Sequence, residues 1–221
     1  AIEFMDRPWI EACEAFAKAG YPICEALLII EVEGSEAEID HQLGLIIEIA
    51  KSHNPVELRE AQDADEAGRI WLGRKSAFGA MGQINDYMCL DGTIPVTELP
   101  YVLRRIGELS KQYGLGVANV FHAGDGNMHP LILFDANKPG DLELCEDMGA
   151  DILKLCVEVG GCLTGEHGVG VEKRDLMLHQ YSPEDLEAQL KVKDVFDPQW
   201  LLNPAKVFPL SVTEARRAVS V

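Results

Sequence analysis

Several signatures that would settle the chemistry at once are missing. No G-x-x-x-x-G-K-[ST] occurs, and no G-x-G-x-x-G follows a strand-like run, so no phosphate cradle or dinucleotide-binding loop is visible. G-x-S-x-G and H-E-x-x-H are also lacking, which removes the usual nucleophile elbow and the helical zinc-protease pair. Positive charge is scarce: 19 basic residues stand against 37 acidic ones, a net −18. Such a surface repels nucleic acid and anionic membranes. No apolar run approaches the ~18 residues of a membrane span. The six cysteines include no C-x-x-C pair and fall mostly in apolar stretches, so they read as reduced, core-type thiols of a cytoplasmic protein. The opening AIEFMDRPW has no basic n-region and reads as an acidic, amphipathic stretch entered mid-protein.

What is there fits an ordinary globular chain of 221 residues, one large domain or one and a half small ones. Helical spacing is predicted over 8–19, 36–52, 63–81, Pro95–Tyr113, about 140–159 and 182–196. Ser35 three residues before Glu38 is a capping-box spacing. ICEALLIIEVEG (23–34) reads as a central strand, NPVELREA (54–61) as a short strand candidate, and NDYMCLDGTIPV (85–96) as strand-like. LGVANVFH and MHPLILFD form a strand pair. The order predicts an α+β fold, a split β-α-β plait with helices on one face.

Between the paired strands lies FHAGDGNMHP, whose two histidines stand at the mouths of their strands. Gly124 and Gly126 supply positive-φ positions, and Asp125 and Asn127 can hydrogen-bond the turn. A well-capped hairpin with incidental histidines is one reading; two imidazoles sharing an ion is the other. The second polar element is TGEHGVG (164–170). Glu166 can complete a metal site with His122 and His129, leaving positions open for substrate, and His167 can act as a base. A plain glycine-rich turn is the alternative there. Arg74 and Lys75 share a helix with Trp71 and face either a carboxylate ligand or solvent. Asn203-Pro204-Ala205-Lys206 closes a pocket or is a simple terminal turn.

Three motifs in order carry a resemblance: HAGDGNMHP, GGCLTGEHGVGVEKRDLM and FDPQWLLNPAKVFP. Together they resemble the C-terminal region of the FAD-linked oxidases of the vanillyl-alcohol oxidase superfamily, the group that holds the bacterial glycolate oxidase flavin subunit and the D-lactate dehydrogenases. The resemblance implies a ferredoxin-like cap domain over residues 1–160, with an antiparallel sheet. A helical C-terminal segment, 161–221, then returns to a flavin-binding domain that precedes this region in the family and is absent here. It implies FAD, and a divalent metal (zinc, manganese or iron) on His122, His129 and Glu166. It makes His167 the general base, puts Arg74 and Asn127 on the substrate, and places Asn203 near the flavin. The family's L-N-P-G-K pattern reads L-N-P-A-K here, which bears on the backbone at Ala205. The implied reaction is oxidation of a short 2-hydroxy acid, glycolate or D-lactate, and the isolated piece is expected to be inactive. Implied partners are the small substrate, other subunits of an oxidase complex and a second copy of the chain. The implied location is cytoplasmic, or peripheral at the inner membrane through partner subunits. A metal-dependent hydrolase using the same cluster, and a non-catalytic partner-binding cap, are the competing functions.

Overall fold

The structure is a computed structural model that describes residues 1–213; the last residues of the predicted C-terminal segment, 214–221, lie outside it. Strand β1 (Ile2–Asp6) opens the chain, followed by helix α1 (Arg7–Ala17) and strand β2 (Ala26–Ile30). Helices α2 (Glu36–Ser52) and α3 (Ala64–Met81) come next, then strands β3 (Asp86–Cys89) and β4 (Gly92–Thr93). Helix α4 (Leu99–Tyr113) leads into the hairpin of β5 (Gly116–His122) and β6 (Asn127–Phe134). Helices α5 (Asp141–Glu158), α6 (Met177–Gln180) and α7 (Pro183–Phe196) finish the described elements.

All pairings are antiparallel, in the order β2-β1-β5-β6-β3, with β4 also on β6. The expected antiparallel α+β fold is present. Alternation along each strand feeds two separate cores. Phe4, Val117, Phe121, Met128 and Ile132 pack under α4 and α5 with Ile106, Met148 and Ile152. Met5, Ala118, Val120 and Leu131 pack under α1 and α3 with Trp9, Ile10, Ala77 and Met81. The helices therefore cover both faces of the sheet rather than one, because both parities of the inner strands are apolar. Full burial of side chains such as Trp9 and Phe121 contributes about 1.5–3 kcal/mol each.

Other expectations also shift. The 23–34 run is not a central strand: β2 lies at the sheet edge, with Leu28 56% exposed. Residues 54–61 form no strand, and 54–60 are exposed. Strand β1 takes the inner place, beside β5. In the hairpin turn only Gly126 has a positive φ, +70°, and a Cβ there would meet the Ile94 carbonyl oxygen at 2.1 Å. The capping box does form, with the Ser35 N–H donating to the Glu38 carboxylate at 2.9 Å. Beyond Gly160, Cys162 bridges to Thr93, and Leu163, Met177 and Leu186 join the core under α4 and α5.

Candidate active site

Register places the polar residues. Met5, Val120 and His129 are lateral neighbours across β1, β5 and β6; one step further along, Glu3, His122 and Asn127 are neighbours, with Thr93 of β4 beside Asn127. All lie on the α1/α3 face, where the apolar residues give way to polar ones at the end of the sheet. The glycine-rich loop 164–170 comes back onto this end. Gly165 is required there, since a Cβ would meet Asn127 Oδ1 at 2.3 Å. Thr93, His122, Asp125, Asn127, Gly165 and Glu166 line an open cleft of ≈ 360 Å³.

The four residues expected to form the metal site and the base do come together. His129 Nε2 lies 3.0 Å from Glu166 Oε1, and the Nε2 atoms of His122 and His167 both lie 3.9 Å from that same oxygen. The rings of His129 and His167 stack at 5.1 Å, while His122 and His129 meet edge-on at 5.4 Å. His129 is buried, whereas Glu166 and His167 are exposed.

The proton positions follow from the partners. The Nδ1 of His129 lies 3.2 Å from the Leu90 carbonyl, which only accepts, so Nδ1 carries the hydrogen. Burial pushes the His129 pKa down, against the pull of the Leu90 carbonyl, Asp91 and Glu166, and favours the neutral ring. His129 therefore turns a bare Nε2 toward Glu166. His122 is oriented alike: its Nδ1 donates to Glu3 Oε1 at 2.8 Å, which turns Nε2 to the Glu166 side. Two imidazole nitrogens and a carboxylate thus converge, which is the residue set of a divalent-cation site. His129, Glu166 and His167 lie close enough to share such an ion, whereas His122 approaches Glu166 at 3.9 Å but stands outside that tight group. Asn127 Oδ1, buried and without a hydrogen-bond partner among the described residues, is a further oxygen at the cleft.

Arg74 is placed differently. It is buried and donates from Nε and Nη2 to Glu3 Oε2 at 3.0 and 2.8 Å, behind His122 rather than on the cleft lining. Asn203 lies in an exposed turn at φ 46°. That turn is tied to the loop after His167, because Arg174 Nη1 donates to the Ala205 carbonyl at 2.7 Å and the Val207 N–H to Gly170 at 2.7 Å.

Two acidic residues escaped the sequence reading. Glu3 links Arg74 to His122. Asp91, fully buried, accepts from Thr164 Oγ1 at 2.6 Å, from the Gly165 and His167 N–H groups at 3.0 and 2.9 Å, and from Glu166 N–H at 3.1 Å. Burial alone would raise the Asp91 carboxyl. Those hydrogen bonds and Lys173 outweigh it and hold the group well below the usual carboxylate range. The only sequence signal for Asp91 is an acid inside an otherwise apolar strand-like run.

The class comes first from the fold. The crystal structure of p-cresol methylhydroxylase with substrate bound aligns with 96% of this chain and 47% of its own, at a TM-score of 0.65 and 13% identity, a likeness of fold alone. The chain belongs to the family described as FAD linked oxidases, C-terminal domain, whose profile matches residues 1–207. It is 50% identical over 210 residues to the glycolate oxidase subunit GlcD of Escherichia coli K12, covering 94% of this chain and 42% of that protein. It is 29% identical over 213 residues to a D-lactate dehydrogenase of Archaeoglobus fulgidus, covering 94% and 45%. The chain spans less than half the length of these relatives.

Proposed function

We propose that this chain is the substrate- and metal-binding part of a flavoprotein that oxidises a short 2-hydroxy acid, glycolate or D-lactate, to the 2-oxo acid. The observation that carries the reading is the meeting of two imidazole Nε2 atoms on one carboxylate oxygen. The 3.0 Å approach of His129 Nε2 to Glu166 Oε1 calls for a positive charge between them, and this reading assigns it to an ion rather than a proton because burial favours the neutral His129 ring. In this reading His122, His129 and Glu166 hold a divalent ion (zinc, manganese or iron). When bound, such an ion would supply Lewis acidity and the flavin would supply the hydride acceptor.

The remaining roles belong to the chain. His167, beside Glu166 and half exposed, takes the hydroxyl proton in this reading. Asn127 offers its unpartnered Oδ1 to the substrate side. Arg74 has no hydrogen bond at Nη1 among the described residues, and this reading assigns that group to the substrate carboxylate. Asn203 and the 161–221 segment approach a flavin-binding domain, and residues 1–160 form the cap. The relatives support this: one is a glycolate oxidase subunit, another a D-lactate dehydrogenase. Partner subunits and a cytoplasmic or peripheral inner-membrane location belong to the same proposal. Among the described residues no helix is long and apolar enough to cross a membrane.

The test is made in the flavin-containing protein that carries this chain. Adding glycolate or D-lactate bleaches its flavin absorbance, and His167→Ala slows the bleaching by roughly 10²–10⁴-fold. A variant that bleaches at the wild-type rate removes His167 from the reaction; a reconstituted flavoprotein that neither acid bleaches removes the substrate class.

A further inference from the structure

The cluster contains one acid that the proposed function does not use. Asp91, His129, Glu166 and His167 each bring a ligand-type atom within 4.8 Å of the others. By distance alone Asp91 qualifies as a ligand. Its hydrogen bonds argue otherwise. A carboxylate has about four lone-pair sites. Five donors already address this one: Thr164 Oγ1, the N–H groups of Gly165, Glu166 and His167, and Lys173 Nζ at 3.2 Å. Four of them converge on Oδ2 and Oδ1 takes only the Glu166 N–H at 3.1 Å, so most of this carboxylate's acceptor capacity is spent inside the turn rather than on an ion.

We propose that Asp91 is the positioning residue of this site: its buried carboxylate, fixed by Lys173, folds the Thr164–His167 turn and so aims Glu166 at the two histidines. The inference rests on the metal reading above.

Three successive backbone N–H groups point inward at one carboxylate, which sends the Glu166 and His167 side chains outward over the sheet. Thr164 Oγ1 locks the same turn from the other side by accepting from the Gly168 N–H at 2.8 Å. Lys173 also donates to the Asp91 carbonyl at 3.0 Å, so both ends of that residue are held. Immediately before Asp91, the Leu90 carbonyl accepts the His129 Nδ1 hydrogen. One dipeptide therefore sets the tautomer of His129 and the direction of Glu166, across 39 and 75 residues of sequence. Supporting groups of this kind tune a metal without touching it.

The test uses the full chain with Co²⁺ as the probe, read by d–d absorbance and equilibrium dialysis, and amide hydrogen exchange as a readout that needs no metal. Asp91→Asn keeps the shape but turns one acceptor oxygen into a donor facing donors. It is expected still to bind one Co²⁺, roughly 10–100-fold more weakly. Thr164→Val, a milder change, is expected to weaken Co²⁺ in the same direction by a smaller factor, and it decides the matter where Asp91→Asn fails to fold. In both variants the amides of 165–167 exchange faster, while those of β5 and β6 keep their protection. His129→Ala is the control that loses stoichiometric binding. Wild-type affinity in both Asp91→Asn and Thr164→Val, with His129→Ala defective, overturns the role of Asp91 and leaves the metal reading standing. Loss of stoichiometry in Asp91→Asn with wild-type affinity in Thr164→Val makes Asp91 a ligand and overturns it too. A wild-type chain that takes up no Co²⁺ sinks the metal reading instead; unchanged exchange at 165–167 then sinks the positioning role as well.

Discussion

In the proposed metal site His122 and His129 have the same task from different surroundings. His129 is buried and tied to a backbone carbonyl; His122 is partly open and tied to a carboxylate that Arg74 neutralises. At His129, where burial favours the neutral ring, the fixed tautomer is ready to ligate without first losing a proton. The same burial acts on a third group for no catalytic gain. Burial pushes the Asp6 carboxyl up from 3.8 to about 6, against hydrogen bonds from the Asn119 side chain and N–H. The folded chain holds that proton more tightly than the unfolded chain. Asp6 therefore costs the fold progressively more as pH climbs from about 3.8 to about 6, and the full penalty is present above that window. Asp6→Asn removes the titration. Denaturant melts at pH 4 and pH 7 are expected to show the variant gaining on wild type by about 2 kcal/mol between those two values. An equal difference at both pH values contradicts the assignment.

At the scale of elements, the turn 203–207 carries the largest local strain near the site. Asn203, Ala205 and Val207 all have positive φ, with Ala205 at +61°, where the family pattern has glycine. An L-residue there costs roughly 1–2 kcal/mol, partly offset by the lower entropy of an unfolded alanine. Ala205→Gly is expected to stabilise the chain by up to about 1 kcal/mol in chemical denaturation; a destabilisation of that size contradicts the strain. The helices and the β5–β6 hairpin were legible because each is long, periodic and bounded by its own breakers, as Gly114 at φ 71° ends α4. The short strands were not. IEFMD is five residues, and its inner place depends on pairing with β5, more than a hundred residues away. ICEALLIIEVEG carries enough apolar residues for a central strand, yet β1 and β5 occupy the middle of the sheet and leave it the edge. Likewise the two histidine-bearing motifs were visible as local clusters, while Glu3 and Asp91 gained meaning only when the fold brought them 119 and 75 residues along the chain to their partners.

On the scale of the whole molecule, the acidic surface and an apolar patch pull in opposite directions. Val192, Val195 and Phe196 share one face of α7, and Leu201 and Leu202 follow beside it, all at least 60% exposed. In the proposed flavoprotein this patch is offered to the flavin domain; alone, it is expected to promote self-association against a net charge of −18. Sedimentation velocity is expected to show association that grows with protein concentration and with added salt, and that Phe196→Ser combined with Leu201→Ser suppresses. A salt-independent monomer contradicts this use of the patch. The central claim lies at the other end of the molecule, where β5, β6 and the 164–170 loop converge. Its most direct test is elemental analysis of the chain after incubation with Zn²⁺ or Mn²⁺ and removal of free ion, beside His129→Ala and Glu166→Gln. The account predicts one bound ion per wild-type chain and a clear loss in both variants. Equal metal in all three, or none in the wild type, contradicts it.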